Sequence, residues 1–186
     1  MAVTLGTNSG FVTVSPTADP TSGLTATIDD RAIVTKDTSP STARVITEVG
    51  WWDATAGTEE ANFEVGLYAA NGAVVPGEAG TLLQVSRTNA KGTAGGWHKV
   101  TGLNWPISPS TAYWIGVQLD NTATTTTLDY IFPGGPGYDS LAAGQTTLPN
   151  PFGGGALAQA AGLAAIYALW KSNSNFLMFM GPQPQQ

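Results

Sequence analysis

The chain contains no cysteine and only one histidine in 186 residues. Without cysteine it can form no disulfide, no thiolate metal site and no cysteine nucleophile. A single histidine cannot complete the sets of imidazole ligands found in most zinc sites. His98 follows Trp97 on a polar-alternating stretch, where we expect an ordinary exposed histidine. These absences argue against metal and nucleophilic chemistry, and they predict that the protein has no cofactor.

Charge is also scarce, because charged residues make up 11% of the chain and the net charge is −6. An acidic chain repels the phosphate backbone of nucleic acids, and the seven basic residues are scattered rather than clustered. The longest apolar stretch, Leu157 to Trp170, is interrupted by Gln159 and is shorter than the roughly 20 residues of a membrane-spanning helix. We therefore predict neither nucleic-acid binding nor membrane insertion.

The chain does have a series of short segments with the period of β-strands. The segment Phe63 to Tyr68 alternates apolar residues with polar or small ones, and Ala70-Asn71-Gly72 then supplies the turn residues of a hairpin. The segment Tyr113 to Leu119 repeats the pattern. With 42% hydrophobic residues, 23 glycines and 12 prolines, the composition favours one all-β domain with many turns. We predict an antiparallel β-sandwich with an extended arm at each terminus.

The predicted domain organisation follows from the spacing of these segments. Residues 1–23 are predicted to form an N-terminal arm with a first strand, residues 24–170 the sandwich, and residues 171–186 a C-terminal arm. Gly50-Trp51-Trp52 is predicted to form a corner after a strand. The long Gly- and Pro-rich segment from Pro133 to Gly155 is predicted to be a functional loop or a lid.

Two apolar segments near the C-terminus predict contact with a partner. The Ala content of Ala156 to Trp170 suits a helix, whereas the β-branched and aromatic residues at its end suit a strand, and we predict that Leu163 to Trp170 is the closing strand. Its two apolar faces require cover from a neighbouring loop or another subunit. Ile166 and Trp170 are therefore candidate contact residues. Beyond the sandwich, Phe176-Leu177-Met178-Phe179-Met180 forms an apolar pentamer that either completes its own domain or docks on a neighbour. We expect a homo-oligomer.

Six tryptophans suggest a surface on which sugar rings could stack. Trp51 and Trp52 are the best-placed pair, although adjacent residues on a strand point in opposite directions, so only one of them can face solvent. The competing interpretation places one of the pair in the core, together with Trp97, Trp105 and Trp114.

The acidic residues do not predict a catalytic site. Glu59, Glu60 and Glu64 form the one carboxylate cluster, and neighbouring residues on one loop cannot face each other across a glycosidic bond. Asp29, Asp30 and Asp37 could ligate a structural Ca²⁺, but a solvated loop fits their irregular spacing better. We therefore predict no catalytic residue and no metal site.

Five short motifs resemble those of jelly-roll β-sandwich modules. They are Gly95-Gly96-Trp97-His98-Lys99-Val100, Trp105-Pro106-Ile107, Thr111-Ala112-Tyr113-Trp114-Ile115-Gly116-Val117, Leu148-Pro149-Asn150-Pro151-Phe152-Gly153 and Ile166-Tyr167-Ala168. Modules of this kind are found in phage virion proteins and in secreted surface proteins. The resemblance covers residues 24–170 and implies a jelly-roll fold, without any catalytic residue to carry over.

These observations predict a non-enzymatic structural protein of a virus particle. It would decorate a capsid or form a fibre, associate with itself and contact other shell proteins. The alternative is a carbohydrate-binding module of an extracellular protein, with glycans as partners. Met1 to Gly6 has neither the basic nor the apolar region of a secretory signal, which favours the virion surface over secretion.

Overall fold

The described part of the chain consists of strands and turns. The computed structural model describes residues 2–21, 24–28, 30–55, 62–72, 79–119, 126–131, 139–152, 157–160 and 162–172. These residues include no helix that is long and apolar enough to cross a membrane. The predicted all-β class is confirmed.

Thirteen strands of the described residues form two sheets. The seven-stranded sheet contains β1 (Gly10–Val12), β2 (Leu24–Thr27), β4 (Val45–Asp53), β7 (Gly96–Pro106), β9 (Thr127–Ile131), β12 (Leu163–Ala164) and β13 (Ile166–Lys171). The six-stranded sheet contains β3 (Arg31–Thr38), β5 (Asn62–Ala69), β6 (Leu82–Ala90), β8 (Ala112–Leu119), β10 (Asp139–Ala143) and β11 (Leu157–Ala160).

The strand order places the first and last strands, β1 and β13, next to each other and β13 next to β4. In the seven-stranded sheet the order is β1-β13-β4-β9-β12, with β7 also paired to β4 and β2 paired to β9. The pair β1–β13 is parallel, whereas the other pairs of this sheet are antiparallel. The six-stranded sheet has the order β11-β10-β3-β8-β5-β6 and is antiparallel throughout.

The main core lies between the two sheets. Trp51 of β4 meets Phe63 of β5 edge to face, with ring centroids 5.6 Å apart. Phe11 of β1 similarly meets Tyr113 of β8 at 6.2 Å. All four rings are at most 7% exposed. Since each contact joins one sheet to the other, the fold is a two-layer, sandwich-like arrangement.

A second apolar cluster covers the outer face of the six-stranded sheet. It forms where residues 144–152, here called the 144–152 strap, cross this face. Leu148 and Phe152 of the strap are buried, and the Phe152 ring packs edge to face on Tyr68 with centroids 5.3 Å apart. The Tyr68 hydroxyl donates a hydrogen bond to the Pro149 carbonyl at 3.0 Å. Gly66 leaves room for the strap, because a Cβ atom there would lie 2.7 Å from the Leu148 side chain.

The strap changes two predictions made from the sequence. The segment from Pro133 to Gly155 is not one long loop, since it contains β10 as well as the strap. The alternation of Phe63 to Tyr68 predicted a half-exposed strand, yet Glu64 and Tyr68 are 5% and 0% exposed. The reason is that the strap lies over the face that the pattern assigned to solvent.

Two further predictions concern strands of the seven-stranded sheet. Leu163 to Trp170 does form strands, β12 and β13, so this part of the helical alternative is excluded. The predicted corner at Gly50-Trp51-Trp52 is wrong, because β4 continues without a break to Asp53 and pairs there with both β7 and β9.

Residues within the predicted N-terminal arm are part of the sandwich. Val3 and Phe11 are buried in the main core, and β1 pairs with β13. The Phe11 amide donates a hydrogen bond of 2.8 Å to the Asp37 carboxylate of β3. Burial raises the pKa of Asp37, although hydrogen bonds from the Phe11 and Thr38 amides oppose this effect. The N-terminal segment is thereby attached to both sheets.

We predict that the 144–152 strap contributes substantially to stability. Phe152→Ala should lower the free energy of unfolding by about 3–5 kcal/mol, because it empties a buried aromatic site. Leu83→Ala is the control, since Leu83 lies 44% exposed on β6. Urea unfolding of both variants measures the difference. If both variants lose the same small amount of unfolding free energy, the structural role of the strap is contradicted.

Candidate functional site

The outer face of the seven-stranded sheet carries a row of three aromatic rings. Trp52 of β4 is opposite Trp97 of β7, and Tyr167 of β13 is opposite Gly50 of β4, so the pleat places all three rings on one face. Trp97 lies between the other two, edge to face, with centroids 5.4 Å from Trp52 and 5.3 Å from Tyr167. We call these residues the aromatic row.

Gly50 makes room for the aromatic row. A Cβ atom at this position would lie 2.6 Å from the Tyr167 ring, which is closer than real side chains approach. The Tyr167 ring therefore lies directly on the backbone of β4. Any side chain at Gly50 would displace it.

Glu48 lies on this face beside the aromatic row and is 6% exposed. Its Oε1 atom accepts hydrogen bonds from the Tyr167 hydroxyl and from the Ser15 hydroxyl. Its Oε2 atom lies 3.6 Å from the Lys99 ammonium. Burial raises the pKa of Tyr167, and the hydrogen bond to Glu48 raises it further. Glu48 therefore connects the sheet to the segment that contains Ser15.

Residues 13–20, the 13–20 segment, cross the same face beside the aromatic row. The Trp97 indole N–H donates a hydrogen bond of 2.9 Å to the Ala18 carbonyl, and Pro20 is buried. Together with the Ser15–Glu48 hydrogen bond, these contacts cover part of the outer face with the protein's own chain.

The structure separates the two tryptophans that were predicted to contact glycans. Trp51 is 0% exposed and packs between the sheets, so it cannot stack on a sugar at the surface. Trp52 is only partly buried. Its ring plane is inclined by 69° to that of Trp97, so these two rings do not form one flat platform. Trp52 is the member of the predicted pair that remains available to a ligand.

The predicted partner contacts are also separated. Ile166 is 0% exposed in the main core and is therefore not a contact residue, whereas Trp170 is partly buried and packs against that core. Strand β13 is covered on one face by the opposite sheet, which packs on Ile166. On the other face Trp97, which is hydrogen-bonded to the 13–20 segment, packs on Tyr167. The sequence argument missed this cover because it comes from distant parts of the chain. Phe176, Leu177, Met178, Phe179 and Met180 lie outside the described residues.

Glu64 of β5 lies away from the aromatic row and has structural partners. Glu64 forms an ion pair with Arg87 and accepts a hydrogen bond of 2.7 Å from the Leu148 amide of the strap. Glu59, Glu60 and Asp29 lie outside the described residues. Among the residues that are described, no three histidine, cysteine, aspartate or glutamate side chains form a group that could hold a metal ion.

One buried cluster was not predicted from the sequence. Lys91 Nζ lies 3.1 Å from Asp53 Oδ2, and both side chains are 0% exposed. His98 Nε2 lies 3.6 Å from the same oxygen. The His98 side chain is 11% exposed and its ring centroid lies 4.9 Å from that of Trp51, so the prediction of an ordinary exposed histidine is wrong. No local motif reveals this cluster, because only strand pairing brings Asp53 and His98 together.

Comparisons with protein-family models, with curated proteins and with solved structures give no match. Functional inference therefore depends on the geometry of the residues themselves.

We predict that two buried tyrosines make the fold sensitive to alkaline pH. Burial raises the pKa of Tyr68 and of Tyr167 above the ordinary value of 10.0, with additional contributions from Glu64 and Glu48 respectively. The folded chain therefore keeps protons that the unfolded chain releases as the pH rises past this value. The associated stability is complete below the unfolded pKa and is lost as the pH rises towards the folded one.

The free energy of unfolding should then fall by up to about 1.4 kcal/mol per pH unit for each tyrosine above pH of about 10. Urea unfolding between pH of about 9 and 11 measures this slope. The double variant Tyr68→Phe/Tyr167→Phe should show a shallower slope than the wild type, even if its stability at neutral pH is lower. If the double variant has the same slope as the wild type, the pH dependence does not come from these tyrosines.

Proposed function

We propose that the protein is a non-enzymatic structural protein of a virus particle. In this proposal it is a capsid-decorating or fibre-type protein of the virion surface that associates with itself and with other shell proteins. The observation that carries the proposal is the order of the strands in the two sheets.

The pairing of eight strands supports our proposal of a jelly roll, a fold that occurs in viral capsid and lectin domains. In a jelly roll, one sheet has the order first, eighth, third, sixth, and the other has the order second, seventh, fourth, fifth. The eight strands in question are β1, β3, β4, β5, β6, β7, β8 and β13. Their pairings are β1-β13-β4-β7 in one sheet and β3-β8-β5-β6 in the other, which match this order. Strand β1 departs from the jelly roll in running parallel to β13, and β2, β9, β10, β11 and β12 are additional to the eight strands.

The contacts of three buried carboxylates, Glu48, Glu64 and Asp53, support a structural role. Glu48 binds the 13–20 segment through Ser15, and Glu64 binds the 144–152 strap through the Leu148 amide. Asp53 accepts a hydrogen bond of 3.0 Å from the Thr55 amide and lies beside Lys91. A catalytic carboxylate must instead reach a substrate. Each of these groups contacts another part of its own chain.

The C-terminal arm is the best candidate for self-association. In the described part of the chain, the exposed large apolar side chains are Val14, Leu24 and Leu83, which belong to three different segments. The apolar pentamer of residues 176–180 begins shortly after Lys171, the last residue of β13. Burying each of its side chains would contribute about 1.5–3 kcal/mol, so contact with another copy is favoured.

We predict that truncation after Ser172 abolishes self-association and leaves the sandwich folded. The expected result is a smaller mass in light scattering, with a free energy of unfolding close to that of the full chain. A chain of equal length with residues 173–186 in scrambled order is the control, since it keeps the composition of the arm. The proposal fails if the full chain is itself a monomer, or if truncation leaves the assembly intact.

The second candidate function is glycan binding by an extracellular module. Lectin domains share the jelly-roll fold, and Trp52 is a partly exposed ring at the end of the aromatic row. A tryptophan in this position can stack on the apolar face of a sugar.

We predict that Trp52 distinguishes the two functions. If the protein binds glycans, Trp52→Ala should weaken binding by about tenfold or more, while Trp52→Phe, which keeps an aromatic face, should retain most of it. Glycan-array binding of the wild type and both variants tests this. A wild-type protein that binds no glycan would eliminate the candidate.

A further inference from the structure

We propose that Lys91 and Asp53 form an intramolecular amide bond, with His98 transferring a proton during the reaction. The proposal concerns a buried self-modification site and is independent of the proposed function. It depends on the geometry of three side chains at one end of the sandwich.

The two reacting groups are already in contact. Lys91 Nζ lies 3.1 Å from Asp53 Oδ2, and a hydrogen bond of 3.3 Å to the Gly92 carbonyl helps to hold the nitrogen in place. The other carboxylate oxygen, Oδ1, accepts the Thr55 amide at 3.0 Å, which fixes the orientation of the Asp53 carboxylate. Such pre-orientation of a nucleophile and an acyl group removes much of the entropic barrier to their reaction.

The surroundings favour a neutral product. Both side chains are 0% exposed, and Trp51 and Phe63, at 0% and 1% exposure, pack beside His98 next to this pair. A buried ammonium–carboxylate pair carries a large desolvation penalty, whereas an amide carries no net charge. The ammonium of Lys91 is the nearest charged partner of Asp53 Oδ2, at 3.1 Å. Exclusion of water from the site would in addition protect the finished amide from hydrolysis.

His98 is placed to move the proton that the reaction requires. Its Nε2 atom is buried, lacks a hydrogen-bond partner and lies 3.6 Å from Asp53 Oδ2. A neutral imidazole can accept a proton at this atom and return it to a neighbouring oxygen. His98 therefore lies next to the oxygen that must leave.

The reaction balances without any co-reactant. One proton passes from the Lys91 ammonium to Asp53 Oδ2, which gives a neutral amine and a carboxylic acid. The Nζ lone pair then attacks Cγ and forms the C–N bond. His98 takes a second proton from Nζ and delivers it to the Oδ2 hydroxyl, the Cγ–Oδ2 bond breaks, and one water leaves. The net change is one ammonium and one carboxylate converted to one amide and one water.

The bond would link the last residue of β4 to the connection between β6 and β7. Strands β4 and β7 belong to the seven-stranded sheet and β6 to the six-stranded sheet, so the link would join β4 to the crossover between the sheets. It would restrict unfolding as a disulfide does, in a chain that has no cysteine.

Mass spectrometry of the intact, denatured full-length chain tests the proposal. The expected mass is lower than the sequence mass by one water. Digestion with trypsin should yield a branched peptide that contains both Asp53 and Lys91, uncut after Lys91, which distinguishes the cross-link from dehydration at a single aspartate. A wild-type chain of full sequence mass after prolonged incubation at neutral pH, or a lost water without the branched peptide, would overturn the proposal.

Variants identify the roles of the three residues. Lys91→Arg keeps the positive charge but should retain the full mass, as should Asp53→Ala. His98→Gln should slow the loss of water after refolding by at least tenfold relative to the wild type. Lys99→Met is the matched control, because Lys99 pairs with Glu48 in an exposed position, and it should lose the water as the wild type does. Loss of water with the branched peptide in the Lys91→Arg chain, or wild-type kinetics in His98→Gln, would refute the corresponding role.

Discussion

A sheet that is apolar on both faces must be covered on both, and this constraint governs the whole structure. Strands β3, β5 and β8 place one set of side chains in the main core and another set beneath the 144–152 strap. Strand β13 similarly contributes Ile166 to the core and Tyr167 to the opposite face. Two layers alone would leave these second faces in water, so the chain supplies its own cover on each side.

Buried carboxylates attach this cover to the sheets. Glu48 accepts hydrogen bonds from Ser15 and Tyr167, and Glu64 combines an ion pair with a hydrogen bond from the strap. A buried carboxylate without such partners would be strongly destabilising, so each acid selects one position for the segment that it binds. Glu48 and Glu64 therefore each attach a covering segment to a sheet.

These internal contacts also bear on the function of the protein. The two-sheet all-β fold, the internal contacts of Glu48 and Glu64 and the apolar C-terminal pentamer are the features behind our proposal of a structural protein that self-associates. The cluster of Asp53, Lys91 and His98 fits this interpretation, because its chemistry would strengthen the scaffold instead of serving a ligand. Trp52 remains the point at which a glycan could still be bound.

The sequence by itself determined the all-β class, most strand positions and the strand state of Leu163 to Trp170, because period-2 patterns and turn residues are local signals. It could not determine that Trp51 and Ile166 are buried, or that His98 lies beside Asp53. Those facts depend on which strands pair and which segments cross the sheets. Contacts such as Ser15 with Glu48, or Tyr68 with the strap, join residues far apart in the chain. Only tertiary structure decides them, since local periodicity cannot distinguish a face covered by solvent from one covered by a distant part of the same chain.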